Sequence, residues 1–335
     1  TLFSGWIFIA HPSLIFLNGF PYAMTSLSAI TIPLVGIFVM KRQWMLSKRY
    51  GFVTPSEMMS AYFKSEIIRI LIVIITLLFA IPFLSLQLAF AGKIISIVSD
   101  NTIAAGSGSL LMGTVIVVTM GLMGIRSTLY IDTLQFFLFI FGIISLGFVA
   151  YDLVGGWDLL NESLSRLSSI KEKMHNVNLN YSSYLQLSGT LKETQILDKN
   201  VFYGGTWTSS MILTFTFGLT GIVLSPNFSM LTFSSKEIAP FASQQVWFSG
   251  LLIGFLLIFF TLAIGVGSVF LGANDIINQS GNNISNVLPS NIYPNELETL
   301  VPHLINLIGE YSPIFCSLLV ICAIACFQST SNFYL

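Results

Sequence analysis

Charged residues are scarce in this sequence. Only 9% of its 335 residues are Asp, Glu, Lys or Arg, whereas 54% are hydrophobic and the mean hydropathy is +0.82. Soluble domains usually carry about 25% charged residues, so the composition excludes an ordinary soluble protein and indicates a polytopic membrane protein. The net charge of −1 also excludes the strongly basic surface that a nucleic-acid-binding protein needs.

Reactive groups are scarce as well. The three cysteines, Cys316, Cys322 and Cys326, all lie in the last hydrophobic run, without a His or acidic residue beside them. This favours small helix-packing residues over a metal or disulfide set. The sequence has no Gly-x-x-x-x-Gly-Lys loop for ATP phosphates and no catalytic arrangement of residues. We therefore do not expect an enzyme.

Hydrophobic runs dominate the sequence. A membrane-spanning helix needs roughly 20 apolar residues, and eight runs approach or exceed that length. The first and last runs reach the two ends of the sequence, so we expect a fragment of a longer chain, truncated to about eight transmembrane helices in a single transporter domain over 1–335. The predicted spans are 1–20, 23–41, 65–98, 108–125, 129–152, 206–232, 245–272 and 312–335.

The segment between the second and third spans sets the topology. It carries five basic residues between Lys41 and Lys64. Short basic loops stay on the cytoplasmic side, so this segment is predicted inside, and alternation places the long polar loops 153–205 and 273–311 outside. We expect a multi-pass protein of the plasma membrane, such as the bacterial inner membrane.

Two of the spans contain helix-breaking residues. The first carries His11-Pro12 and the sixth carries Ser225-Pro226, and each also contains glycines. Such residues are tolerated in membrane helices as kinks and packing sites. In transporters built from inverted repeats, however, discontinuous helices in corresponding positions of the two halves meet near the bilayer midplane and hold ion and substrate. The order of these two spans, five apart, fits that architecture.

Four short motifs follow one another along the chain. They are "SGWIFIAHPSLIFLNG" (4–19), "YGFVTPSEMMSAYF" (50–63), "GIRSTLYIDTLQ" (124–135) and "FQSTSN" (327–332). Together they resemble the sodium/solute symporter family, and the first is closest to the sodium/proline branch. The resemblance implies an all-α polytopic membrane protein with the LeuT-type inverted-repeat fold. At the aromatic positions of the sixth helix the chain has Phe215 and Leu219, a departure that argues against proline as the solute.

The hydroxyl pair Ser329-Thr330 lies in the last hydrophobic run. Na⁺ is a hard cation that prefers oxygen ligands, and adjacent helical residues point about 100° apart, so the pair can flank a groove. The resemblance implies a sodium site made by the carbonyls of Phe3 and Cys326 and the hydroxyls of Ser329 and Thr330. The residues alone leave open that these hydroxyls bond back to carbonyls one turn earlier or join helices.

Asp132 is an acid at the border of the fifth span. An acid within a membrane is costly and is a functional candidate by default. The resemblance places Asp132 beside a second cation or on the cation's exit path. From the residues alone, it could equally be solvated or paired with Arg126, six residues earlier.

Four other residues are candidates for a substrate pocket. Trp6 could form a wall of the pocket, as the matching family position does, or anchor the chain at the interface. His11 could bond a substrate carboxylate or satisfy a backbone carbonyl that Pro12 leaves free. Gln87 could face the pocket or bond between helices, and Phe215 could cover the pocket from the sixth span.

We therefore predict sodium-coupled secondary active symport of a small organic solute by alternating access. Na⁺ would be the coupling ion, without an organic cofactor or a transition metal. The expected partners are the solute (an amino acid, a carboxylate or a sugar) and the lipid bilayer, without nucleic acid. One alternative is a transporter-like sensor domain with a histidine kinase C-terminal to this sequence. A channel is disfavoured because no repeated ring or filter motif is present.

Overall fold

The computed structural model describes residues 4–153, 155–158, 160–162, 208–237, 239–268 and 297–334. Within these ranges the chain is helical and contains no strand. Six described helices are long and apolar enough to cross a membrane, or seven if one bent pair counts as a span. The described part of the chain is therefore an all-helical polytopic membrane protein.

The first two helices meet at a glycine. Helix α1 (His11–Asn18) continues a π-helical segment, Trp6–Ala10. It ends at Gly19, whose φ of 74° and ψ of −168° suit glycine alone, and α2 (Phe20–Tyr50) begins at once. The structure has no break at His11-Pro12, because Trp6–Asn18 is continuously helical, and the described break in this span is at Gly19. Residues 1–3 lie outside the described residues.

Helix α2 is longer than the predicted span 23–41. It continues to Tyr50 and is capped by Gly51, which has the left-handed φ of 75°. The prediction of a basic loop from residue 41 was therefore wrong. Lys and Arg are good helix formers, so the helix continues through them. The hydropathy of the sequence shows only where the helix leaves the hydrocarbon core of the membrane. Helices α3 (Pro55–Phe63) and α4 (Glu66–Val98) follow.

Helix α5 (Ala105–Leu153) contains the fourth and fifth predicted spans. The Gln328 side chain hydrogen-bonds both to Gln135, at 3.0 Å, and to Thr119, at 3.4 Å. In a straight helix, Thr119 and Gln135 would lie about 24 Å apart along the axis, which one Gln side chain cannot bridge. The chain therefore bends back between these two residues, although its backbone remains helical.

The sixth predicted span is broken at Ser225-Pro226. Helix α6 (Ser209–Leu219) passes into a 3₁₀ segment that ends at Leu224, and α7 (Pro226–Ser234) follows at an angle of 47°. Ser225 between them is extended, with ψ of 148°. Proline lacks the N–H needed for the helical ladder and disfavours the helical conformation of the residue before it, which explains the break.

Three helices complete the described chain. They are α8 (Phe241–Gly267), α9 (Leu300–Tyr311) and α10 (Pro313–Tyr334). Helix α9 lies within 273–311, which was expected to be loop, so that expectation was wrong for residues 300–311. A 12-residue amphipathic helix is too short to resemble a span. Its apolar face is buried through Leu300, Val301, Leu304, Ile305, Leu307 and Ile308.

The helices pack in two groups. Helices α4, α5 and α10 pack on one another, whereas α2 packs on α8 and on the broken α6–α7 pair. Helix α8 also contacts α1, where Gly265 lies against Ile15, and the first group, where Gly267 lies against Ala150 of α5. Glycine allows these close helix contacts because a Cβ would have no room there. The candidate site lies where α10 meets α5 and the start of the first helix.

Candidate functional site

The start of the first helix is held against two other helices. The N–H of Gly5 donates to Oε1 of Gln87 on α4 at 2.8 Å, and Gln87 is fully buried. A Cβ on Gly5 would lie 2.7 Å from Gln87 and from the rings of Phe90 and Phe327. Phe327 immediately precedes the polar stretch of α10, so the first and last described helices are in direct contact.

Thr330 of α10 is fully buried and faces its own helix backbone. Its hydroxyl donates to the carbonyl of Cys326 at 3.0 Å. This is the back-bonding that the sequence left open, and it pairs two of the predicted sodium ligands with each other. A hydroxyl that donates keeps two acceptor lone pairs, and a carbonyl has two as well, so both oxygens can still ligate a hard cation. Phe3, the other predicted carbonyl ligand, lies outside the described residues.

Asp132 of α5 faces α10. The side chains of Ser329 and Asn332 lie beside its carboxylate, close enough to interact with it. The carboxylate therefore faces a hydroxyl and an amide across the helix interface. Nothing is described of the side chain of Arg126, the alternative partner that the sequence left open. Asn332 was not singled out as a site residue, although its position three residues after Ser329 places both on one face of a helix.

Several buried oxygen atoms of α5 and α10 lack a hydrogen-bond partner in the part of the chain that the structure describes. Within the described ranges, Oδ1 of Asp132, Oε1 of Gln135, Oγ of Ser331 and Oδ1 of Asn332 have no hydrogen-bond partner. Buried polar groups are normally satisfied, so unpaired acceptors point to a missing donor or cation. Oxygen ligands suit a hard cation, and the described residues contain no cluster of His, Cys, Asp and Glu for a transition metal.

A bridge of three side chains lies beside these oxygens. Gln135 donates through Nε2 to Oε1 of Gln328, and Gln328 donates in turn to the hydroxyl of Thr119. The bridge joins both halves of the folded α5 to α10. Because polar groups inside a membrane must be satisfied by protein, it fixes the rotation of α10 and hence the direction of the Ser329 and Thr330 side chains. No local pattern in the sequence predicts this bridge, because its three residues are far apart along the chain.

The predicted pocket residues fall into two groups. His11 hydrogen-bonds through Nε2 to the hydroxyl of Ser26, and its ring lies 5.3 Å from that of Tyr22. The Tyr22 ring in turn lies 6.4 Å from the ring of Phe215. One His11 ring nitrogen is therefore satisfied by a hydroxyl of the next helix, and not by a backbone carbonyl. Tilted ring contacts through Tyr22 therefore place His11 and Phe215 in one cluster.

Trp6 and Gln87 form the second group, at the start of the first helix. Trp6 is 36% exposed, whereas its neighbour Gly5 bonds the buried Gln87. The Nε2 of Gln87 has no partner among the residues that the structure describes, so this amide offers a donor next to the helix start. On the broken sixth span, the buried hydroxyls of Thr216 and Ser225 are likewise unpaired within the described ranges.

Helix α7 contacts α10. The Nδ2 of Asn227 donates to the carbonyl of Phe333 at 3.2 Å, and the rings of Phe228 and Phe333 meet edge to face at 5.3 Å. The part of the sixth span that follows the break at Ser225-Pro226 therefore contacts the end of α10. Any movement of α7 would change its contacts with the helix that carries the hydroxyl pair.

The comparisons with known proteins agree with this arrangement at the level of a family. The model of the sodium:solute symporter family matches residues 1–332. No curated protein and no solved structure gives a significant match. The family match covers nearly the whole sequence, and the helices described above have the length and composition of membrane spans. This multi-pass membrane protein belongs to the sodium:solute symporter family.

Proposed function

We propose that this protein moves a small organic solute across the plasma membrane together with Na⁺, by alternating access. Membership of the sodium:solute symporter family supports Na⁺ as the coupling ion and an organic solute as the cargo. The observation that carries the proposal is the contact between Gly5 and Phe327. It brings the start of the first helix against α10 two residues before the hydroxyl pair, and an ion site shared by the two helices needs such a contact.

The sodium site would combine hydroxyl and carbonyl oxygens. Ser329 and Thr330 would supply hydroxyls, and Cys326 and Phe3 carbonyls. Support comes from the face that Cys326 and Thr330 share, one turn apart and buried from solvent. Ligands drawn from both helices would make Na⁺ binding depend on how closely the first helix approaches α10, which is the coupling that a symporter requires.

Asp132 would serve a second cation or its path to the cytoplasm. Its contacts with Ser329 and Asn332 place a carboxylate beside one of the proposed sodium ligands. The unpaired Oδ1 atoms of Asp132 and Asn332 would receive a cation that leaves Ser329. Burying an acidic side chain in a membrane protein costs free energy, so a buried acid usually has a function.

The solute would bind near the start of the first helix. Trp6 would form a wall, Gln87 would donate from its unpaired Nε2, and Phe215 and His11 would close the pocket from the aromatic cluster. An amide donor and an aromatic wall suit a small amino acid or carboxylate, which the likeness of the first helix to the sodium/proline branch also favours. Sugars remain a class to test.

The test is a thermal-stability and uptake screen of the full-length protein. Purified protein would be heated with amino acids, carboxylates and sugars, each in sodium chloride and in choline chloride. A transported solute should raise the melting temperature more in sodium, and vesicles should accumulate the same solute only under an inward sodium gradient. Uptake of that solute without any sodium dependence would overturn the proposal.

A further inference from the structure

The charges of this protein are unevenly distributed along the chain. Residues 41–69 contain six basic and two acidic residues, a net charge of +4, whereas the whole chain carries −1. The segment covers the end of α2, all of α3 and the start of α4. It is the part of the chain predicted to face the cytoplasm.

The basic side chains of this segment project outward. Lys41, Arg42 and Lys64 are exposed, and none of them forms an ion pair with any residue that the structure describes. The two acids do not neutralise them. The carboxylate of Glu57 accepts hydrogen bonds from the backbone N–H groups of Val53 and Thr54, and Glu66 lies 3.8 Å from Arg69.

Helix α3 places apolar groups beside these cations. It has no buried residue, and Tyr62 and Phe63 are 78% and 56% exposed. Their rings pack edge to face at 4.9 Å, and Lys64 follows immediately in the left-handed conformation that ends the helix. An exposed helix that combines aromatic side chains with adjacent basic ones is typical of segments that lie at a membrane surface.

The length of α2 places the segment at the right depth. The 31 residues of α2 extend for about 46 Å, whereas the hydrocarbon core is only about 30 Å thick. Lys41 and Arg42 follow 21 residues of mostly apolar helix, so they reach the headgroup layer. The cytoplasmic leaflet is the anionic one and attracts basic segments next to membrane helices.

We propose that the end of α2, helix α3 and the start of α4 form a binding surface for anionic phospholipids of the cytoplasmic leaflet. Lys41, Arg42 and Lys64 contact the phosphates, and Tyr62 and Phe63 enter the acyl boundary between them. The surface is separate from the cation and substrate residues and does not depend on sodium coupling. It would hold the cytoplasmic ends of α2 and α4 at a fixed depth in the membrane.

The experiment titrates phosphatidylglycerol into the full-length protein in phosphatidylcholine nanodiscs and follows the melting temperature, without sodium or solute. In the variant Lys41→Gln/Arg42→Gln/Lys64→Gln, the phosphatidylglycerol fraction for half-maximal stabilisation should rise at least tenfold, since each basic residue contributes about fivefold near an anionic surface. Raising potassium chloride should weaken the wild-type response because salt screens charge.

Tyr62→Ser/Phe63→Ser should lower the retention of labelled phosphatidylglycerol severalfold.

Lys93→Gln is the control, because Lys93 lies at the opposite end of α4 from the segment and its charge is paired with Glu298 at 2.7 Å. It should respond to phosphatidylglycerol like the wild type. A melting temperature in pure phosphatidylcholine equal to that of the wild type shows that each variant folds. The proposal is overturned if the triple variant keeps the wild-type lipid response, or if Lys93→Gln loses as much. Crosslinking of the segment to an acidic cytosolic protein in place of lipid would also overturn it.

Discussion

The N–H of Gly5 points at the side-chain carbonyl of Gln87 across 2.8 Å. This bond joins the first helix to α4 at a depth where neither group can turn to water. It leaves no space at Gly5, because a Cβ there would approach three side-chain atoms at 2.7 Å. The first helix therefore has little room to move relative to α4 and α10 at the candidate site.

Gly5→Ala should destabilise the protein and abolish transport. Overpacking a well-packed site costs about 1–3 kcal/mol, and here the added methyl pushes the first helix away from Phe327 and so from the hydroxyl pair. The measurements are the melting temperature and sodium-driven uptake in vesicles. Gly121→Ala is the control, because a Cβ at Gly121 has no neighbour within 4 Å. Equal behaviour of the two variants would contradict the packing argument.

Thr330→Ala should raise the sodium concentration for half-maximal stabilisation or uptake by about tenfold, the usual effect of losing one polar contact to a charged group. Thr330→Ser should keep most of the affinity because the hydroxyl remains. Thr261→Ala is a matched control, since Thr261 is also buried and donates to a carbonyl one turn earlier, at 2.6 Å, on α8. A sodium dependence that shifts equally in both alanine variants would indicate a structural role only.

Asp132→Asn should slow sodium-driven uptake while the protein still folds. Asn keeps the shape and the contacts with Ser329 and Asn332, but it removes the charge that would attract a cation from the first site. Initial uptake rates at several sodium concentrations provide the measurement, and Asp158→Asn, at an exposed position, provides the control. If Asp132→Asn takes up the solute at the wild-type rate, the carboxylate has only a structural role beside α10, and a role in the cation path is contradicted.

Thr54 and Glu57 form a capping box at the start of α3. Thr54 accepts the N–H of Glu57, and the Glu57 carboxylate accepts the N–H groups of Val53 and Thr54, which lowers the pKa of Glu57. The family-like Thr-x-x-Glu motif is thus a helix start. Thr54→Ala should destabilise α3 by about 1 kcal/mol, which hydrogen exchange of residues 55–63 would detect.

The pH dependence of this cap follows from the direction of the pKa shift. A carboxylate with a lowered pKa in the folded state stabilises the fold fully above its unfolded pKa, near 4.5, and loses that contribution as the pH falls through the lower folded value. Protection of α3 should therefore fall below pH 4.5 in the wild type and change less in Glu57→Gln. Glu310→Gln, at an exposed position on α9, should behave like the wild type.

Local features of the sequence predicted the elements that depend on nearby residues. Apolar runs located the spans, Pro226 predicted the break that the structure has after Ser225, and Thr54 with Glu57 lies where a helix begins. Helix ends were less predictable. The extension of α2 to Tyr50 follows from helix propensity and the cap at Gly51, which a hydropathy window does not register. The short helix α9 was missed because 12 residues are too few to resemble a span.

What the sequence alone determined is that this chain is a membrane protein with the ordered motifs of the sodium:solute symporter family, because composition and spacing are properties of the linear chain. Only the tertiary structure decided which groups meet: Asp132 with Ser329 and Asn332, Gln328 with both halves of α5, and Gly5 with Gln87. These are pairings between residues distant in sequence. They depend on how each helix is rotated against its neighbours, and that rotation is set by packing and by the need to satisfy every polar group away from water.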